Sequence, residues 1–121
     1  YVATENDLED KDFDVKFYDS KARTAYEVEV NKVTGEVREY KMELKGYEGS
    51  PNAVLGVEDV KQIVLKEYPD AAFKAVRLDV DKETGLKEYD VKFSTKAVIG
   101  DYDINPENGQ VVEKDIRYIG K

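Results

Sequence analysis

Acidic side chains are the most abundant chemical groups in this 121-residue chain. It has 27 Asp and Glu against 19 Lys and Arg, a net charge of −8, and no His or Cys. Without imidazole or thiol, Ser-His-Asp and Cys-His catalytic groups cannot be built. Zinc sites of the usual Cys/His kind are excluded as well. Carboxylates alone can hold a hard cation or pair for acid–base work. Asp79, Asp81 and Glu83 stand at alternate positions, like the start of a calcium loop. An EF-hand loop needs glycine at its sixth position, where this chain has Thr84, with Gly85 one residue late. The water-facing side of a strand accounts for the same three acids. Asp7, Glu9, Asp10 and Asp12 cluster before another strand and read as a solvated turn, with weak calcium binding as the alternative. Glycoside hydrolysis needs two carboxylates across a cleft, and nothing singles out such a pair. No catalytic, cofactor-binding or metal residue is therefore assigned, no cofactor is expected, and the chain reads as a non-enzyme.

The acidic balance also disfavours nucleic acid and anionic membrane surfaces as partners. No apolar run approaches the roughly 20 residues of a membrane span, so membrane contact would come only through an anchor outside this chain. Nine tyrosines are more than usual, and Tyr is a common interface residue. Most fall at core-facing strand positions. Tyr47, between Gly46 and Gly49, is the one expected to be most exposed.

An internal repeat supplies the elements that position these groups. Shifted by 76 residues, Phe13-Asp14-Val15-Lys16-Phe17 falls on Tyr89-Asp90-Val91-Lys92-Phe93, and Tyr26 falls on Tyr102. Each of these segments alternates apolar with charged residues, the mark of a half-buried strand. Glycine turns follow at Thr34-Gly35, Thr84-Gly85 and Asn108-Gly109. The offset also predicts a strand at 1–5. Val57, Val60, Ile63, Val64 and Tyr68 follow helical spacing, with Glu58 and Asp59 in the first turn and Pro69 as the stop. Gly46 to Gly56 reads as a linker.

The spacing thus predicts an α+β chain of two repeats, each with a four-stranded antiparallel sheet, and one helix at about 57–68 packed on a sheet face. Its divisions are 1–45, a linker at 46–56, and 57–121. The first repeat lacks a helix, so its face of Phe13, Val15, Phe17, Tyr26, Val28 and Val30 needs a cover. Either the matching helix lies upstream of Tyr1, which is favoured, or the cover is shared with 57–68 or a partner chain.

The second half resembles a PepSY domain. The residues that carry the resemblance are Leu55-Gly56-Val57-Glu58-Asp59-Val60-Lys61-Gln62-Ile63-Val64-Leu65-Lys66, then Leu86-Lys87-Glu88-Tyr89-Asp90-Val91-Lys92-Phe93, then Tyr102-Asp103-Ile104 before Asn108-Gly109-Gln110-Val111. The first half carries the last two parts in Tyr26-Glu27-Val28-Glu29-Val30 and Val33-Thr34-Gly35-Glu36-Val37. Val60 and Val64 stand where the family often has alanine, and Asn105-Pro106 replaces its usual Asp-Ala. The resemblance implies a mostly bacterial, secreted or membrane-anchored interaction module, similar to part of thermolysin-type propeptides. It implies a protein partner, with a protease as one candidate, and no family binding residue to carry over. A spacer repeat of a surface protein or lipoprotein and a calcium-dependent surface module are the alternatives. Self-association through the first sheet is a further expectation.

Overall fold

The chain folds around strands that alternate apolar and charged residues, joined by turns of one recurring design. A computed structural model describes residues 12–119. The order is β1 (Asp12–Asp19), β2 (Thr24–Asn31), β3 (Val37–Leu44), α1 (Val57–Glu67), β4 (Ala72–Val80), β5 (Lys87–Ser94), β6 (Val98–Ile104) and β7 (Val111–Tyr118). The strand expected at 1–5 lies outside the described residues.

The same turn closes three hairpins. At Asn31–Gly35, Asp81–Gly85 and Asn105–Gly109 the glycine N–H donates to the first residue's carbonyl, at 2.8, 2.8 and 2.9 Å. The first residue's side-chain oxygen accepts backbone N–H bonds from within the turn. All three glycines have φ between 75° and 80°, a conformation costly for other residues.

The strands form one seven-stranded sheet in the order β1-β2-β3-β7-β6-β5-β4, with every pairing antiparallel. This corrects the expectation of two four-stranded sheets. The β3–β7 pairing merges them, because both strands end their hairpins with a side free for hydrogen bonding. Tyr40 pairs with Ile116, Lys41 with Asp115 and Met42 with Lys114. The turn and bulge of β2–β3 recur 74 residues on in β6–β7. At that spacing Tyr40 corresponds to Lys114, Lys41 to Asp115 and Met42 to Ile116. The pairing therefore maps onto itself, about an approximate two-fold axis between Lys41 and Asp115. Such an axis is perpendicular to the sheet, so corresponding side chains of β1–β3 and β5–β7 share a face.

The 76-residue offset holds only for β1 and β5. Phe17 pairs with Tyr26, whereas Phe93 pairs with Gly100 and Val91 with Tyr102. The β1–β2 connection is two residues longer, so β2 enters its strand shifted. Tyr26 thus occupies the place of Gly100, and Val28 the place of Tyr102.

Helix α1 covers one face of the second half, as the periodicity predicts. Val60 and Val64 are fully buried, with Tyr89, Val91, Phe93, Tyr102, Ile104 and Ile116 beneath and around them. The helix ends at Glu67, one residue earlier than expected, and Tyr68 caps it through N–H donation to the Val64 carbonyl at 2.8 Å. At its start the Asp59 carboxylate accepts from the Gly56 N–H at 2.7 Å.

The stretch 46–56 does not behave as a free linker. Ser50 is buried and exchanges two backbone hydrogen bonds with Lys87, at 2.9 and 2.7 Å. Its Oγ donates to Asn105 Oδ1 and lies 2.8 Å from the Tyr47 hydroxyl. Tyr47 is half-buried, contrary to the expectation, while Tyr18 and Tyr118 are exposed.

Candidate interaction face

The two halves present corresponding apolar faces in opposite states. In β5–β7, Tyr89, Val91, Phe93, Tyr102 and Ile104 are at most 5% exposed, because α1 lies on them. In β1–β3, Val15 is 37% exposed and Phe17 53%. Phe13, Tyr26, Val28, Val30, Tyr40 and Met42 on the same face are half-buried. The aromatic rings run in a row: Phe17 stacks on Tyr26 at 4.8 Å between centroids, and Tyr26 lies 6.4 Å from Tyr40. Alternation in the sequence is enough to place these residues on one face. Their uneven covering arises because α1 packs on β4 and β5.

Polar contacts lock the helix on the second half. The Tyr102 hydroxyl donates to Glu67, whose carboxylate also takes the Lys114 ammonium at 3.2 Å. The Tyr89 hydroxyl donates to the Leu55 carbonyl at 2.9 Å. Burial, followed by the Glu67 contact, pushes the Tyr102 hydroxyl far above the ordinary tyrosine range, so it remains a donor. Burial likewise raises Tyr68 to about 12. The corresponding positions in the first half are Phe13, Val28 and Tyr40, so both hydroxyls are absent there and a tyrosine stands in place of the ammonium.

The opposite face is crowded with carboxylates. Like charges pair directly across strands at Asp14–Glu29, Glu29–Glu39, Asp79–Glu88, Asp90–Asp103, Asp101–Asp115, Asp103–Glu113 and Glu43–Glu113. Such pairs are unfavourable while both partners are ionised, and proton affinities respond. Burial and then the Glu88 charge push Asp103 up to about 8. Burial and then contact with Asp90 raise Asp101 to about 6. A hydrogen bond to Asp115, then burial, raises Glu39 to about 7. Burial raises Asp90 too, but hydrogen bonds from Asp101 and from Lys92 outweigh it and hold Asp90 below the usual range. Lys92 reaches Asp90 at 3.3 Å and Asp101 at 2.8 Å.

Among the described residues, Asp79, Asp81 and Glu83 do not converge on one point. Asp81 Oδ1 accepts the Glu83 and Thr84 N–H groups, and these bonds hold it below the usual carboxylate range. Asp79 faces Glu88, and Asp7, Glu9 and Asp10 lie outside the described residues. A different set does converge: oxygens of Asp90, Asp101 and Asp103 lie within 4.8 Å of one another, near enough to hold a cation or share protons. Two strands contribute them, so linear spacing carried no signal.

A domain described as "Peptidase propeptide and YPEB domain", PepSY, matches residues 54–115. This span contains the helix, its covered face and the last four strands except the end of β7. The chain belongs to the PepSY family. No curated protein and no solved structure matches it. The family's description names a propeptide domain, which fits a regulatory role and a protein partner of the peptidase kind. Among the described residues, no helix is long and apolar enough to cross a membrane.

Proposed function

We propose that the chain is a non-catalytic, extracytoplasmic regulatory module that acts by docking on a protein partner, with a peptidase as the first candidate. The first half is a second PepSY-like copy with no helix over it among the described residues, and its open face is the docking surface. The observation that carries this reading is the contrast between Phe17, 53% exposed, and its counterpart Phe93, fully buried. A large apolar patch on a charged protein is costly to leave in water and marks an interaction site. The propeptide character of the family points to the class of partner.

Titration of the purified chain into a thermolysin-type metallopeptidase assay tests the reading. Inhibition by the wild-type chain, lost in Phe17→Asp, is the expected result. Equal inhibition by both proteins, or none by either, would count against it.

A further inference from the structure

The open face of β1–β3 corresponds, position by position, to a face that already has an occupant in the same molecule. Across the two-fold axis, Val15 and Phe17 stand where Val91 and Phe93 stand, and those two lie in the core that Val60 and Val64 of α1 complete. The neighbouring half thus shows what covers such a face: a helix of about three turns with aliphatic residues three and four apart.

The first half departs from its counterpart in one consistent direction. Tyr26 replaces Gly100, and its ring stacks with Phe17 at 4.8 Å. Phe93 instead lies directly over Gly100, where an added Cβ would sit 2.2 Å from the ring. The floor of the open face is therefore higher by a side chain. Phe13 and Val28 replace Tyr89 and Tyr102, removing the hydroxyls that fasten α1 to its strands. Apolar contact without these fastenings suits an occupant that arrives and leaves, whereas α1 is a fixed lid.

Charge sets the orientation. Glu67, near the end of α1, faces Lys114, and Tyr68 just beyond it stacks near Phe93, so α1 ends toward the β5–β6 turn. The matching end of the first half carries Lys21, Arg23 and Lys45 beside Asp19 and Glu43, a surplus of one cation, with the Lys45 ammonium 3.1 Å from Glu43 and its N–H donating to the Arg23 carbonyl at 2.7 Å. Cations favour the carboxyl end of a helix.

We infer that the β1–β3 face binds an amphipathic helix of a separate partner protein, with its aliphatic stripe on Val15, Phe17 and Tyr26 and its carboxyl end at Arg23 and Lys45. This inference rests on the reading of the face as a docking surface and specifies what docks there.

The probe is a fluorescent peptide of residues 53–70 of this chain, whose aliphatic stripe already fits the corresponding face. It is titrated into the intact protein and followed by anisotropy. Saturable binding is expected, weaker by about tenfold or more in Phe17→Asp, as loss of a central apolar contact gives. Ile99→Asp, on the charged face, should bind as wild type, and a peptide with Val60, Ile63 and Val64 changed to Ser should not bind. Phe17 is largely exposed, so Phe17→Asp should fold, and Val15→Ser gives an independent check. Absence of saturable binding up to about 1 mM, or equal binding by Phe17→Asp, overturns the inference. So does self-association of the protein through this face that excludes the peptide. If the peptide fails but Phe17→Asp still loses peptidase inhibition, the helix inference falls and the docking surface stands.

Discussion

Gly100 and Tyr26 occupy the same place in the two halves, and this single difference sets the level of the ring above each. Gly100→Ala drives a methyl into the Phe93 ring, which is enclosed by Tyr68 and Tyr102 at 5.3 Å and cannot withdraw. Overpacking of this kind costs about 1–3 kcal/mol. Urea denaturation should show that loss, and an unchanged midpoint would mean that the ring has room to shift. The glycine carried no turn signal in the sequence. Its reason is a ring on the neighbouring strand, which becomes visible only once the β5–β6 register is known. Tyr47 shows the same limit: its flanking glycines suggested exposure, but Ser50 draws it onto the second half.

Strands and helix were largely legible because their periodicities are local. Alternation located the strands, Pro69 the helix end, and the Asn or Asp and Gly spacing the turns. The β3–β7 pairing was not legible, because the edge of a strand has no sequence mark for its partner. Cross-strand register throughout the sheet, not alternation along any one strand, produces the crowded acidic face, whose individual residues looked like ordinary solvent-facing charges. Asp101, Glu39 and Asp103 have proton affinities raised to about 6, 7 and 8. The folded chain therefore binds protons that the unfolded chain, with ordinary carboxylates, has released. Stability from these groups falls as pH rises from about 4 through 8. Asp90 and Asp81, both lowered, act in the opposite sense only in the acid range. Calorimetry should show a higher Tm near pH 5.5 than near pH 8, and Asp103→Asn should raise Tm at the higher pH. A Tm that climbs with pH across this range would contradict the arrangement.

The helix is the element on which the second half depends. Val64 is fully buried, and Val64→Asp places an unpaired carboxylate in the core at a cost of about 3–5 kcal/mol. Small domains are stable by about 5–15 kcal/mol. Far-UV circular dichroism should show most of the structure lost or strongly destabilised, and a native Tm would mean that the helix is dispensable.

At the scale of the molecule, one sheet joins a closed half to an open half through Lys41 and Asp115. Continuous pairing across that join makes the two halves unfold together. Near-UV and far-UV signals should give one coincident thermal transition, whereas two separate transitions would mean that the β3–β7 pairing is weak. The same asymmetry underlies the proposed docking role, because among the described residues the apolar face of β1–β3 is open and that of β5–β7 is covered. Hydroxyl-radical footprinting of the free chain and of its complex with a bound metallopeptidase tests this most directly. The expected result is strong modification of Phe17, Tyr26 and Met42 in the free chain but not of Phe93 and Tyr102, with protection of the first three on binding. Protection of Phe17, Tyr26 and Met42 in the free chain, or their unchanged modification in the complex, would contradict it.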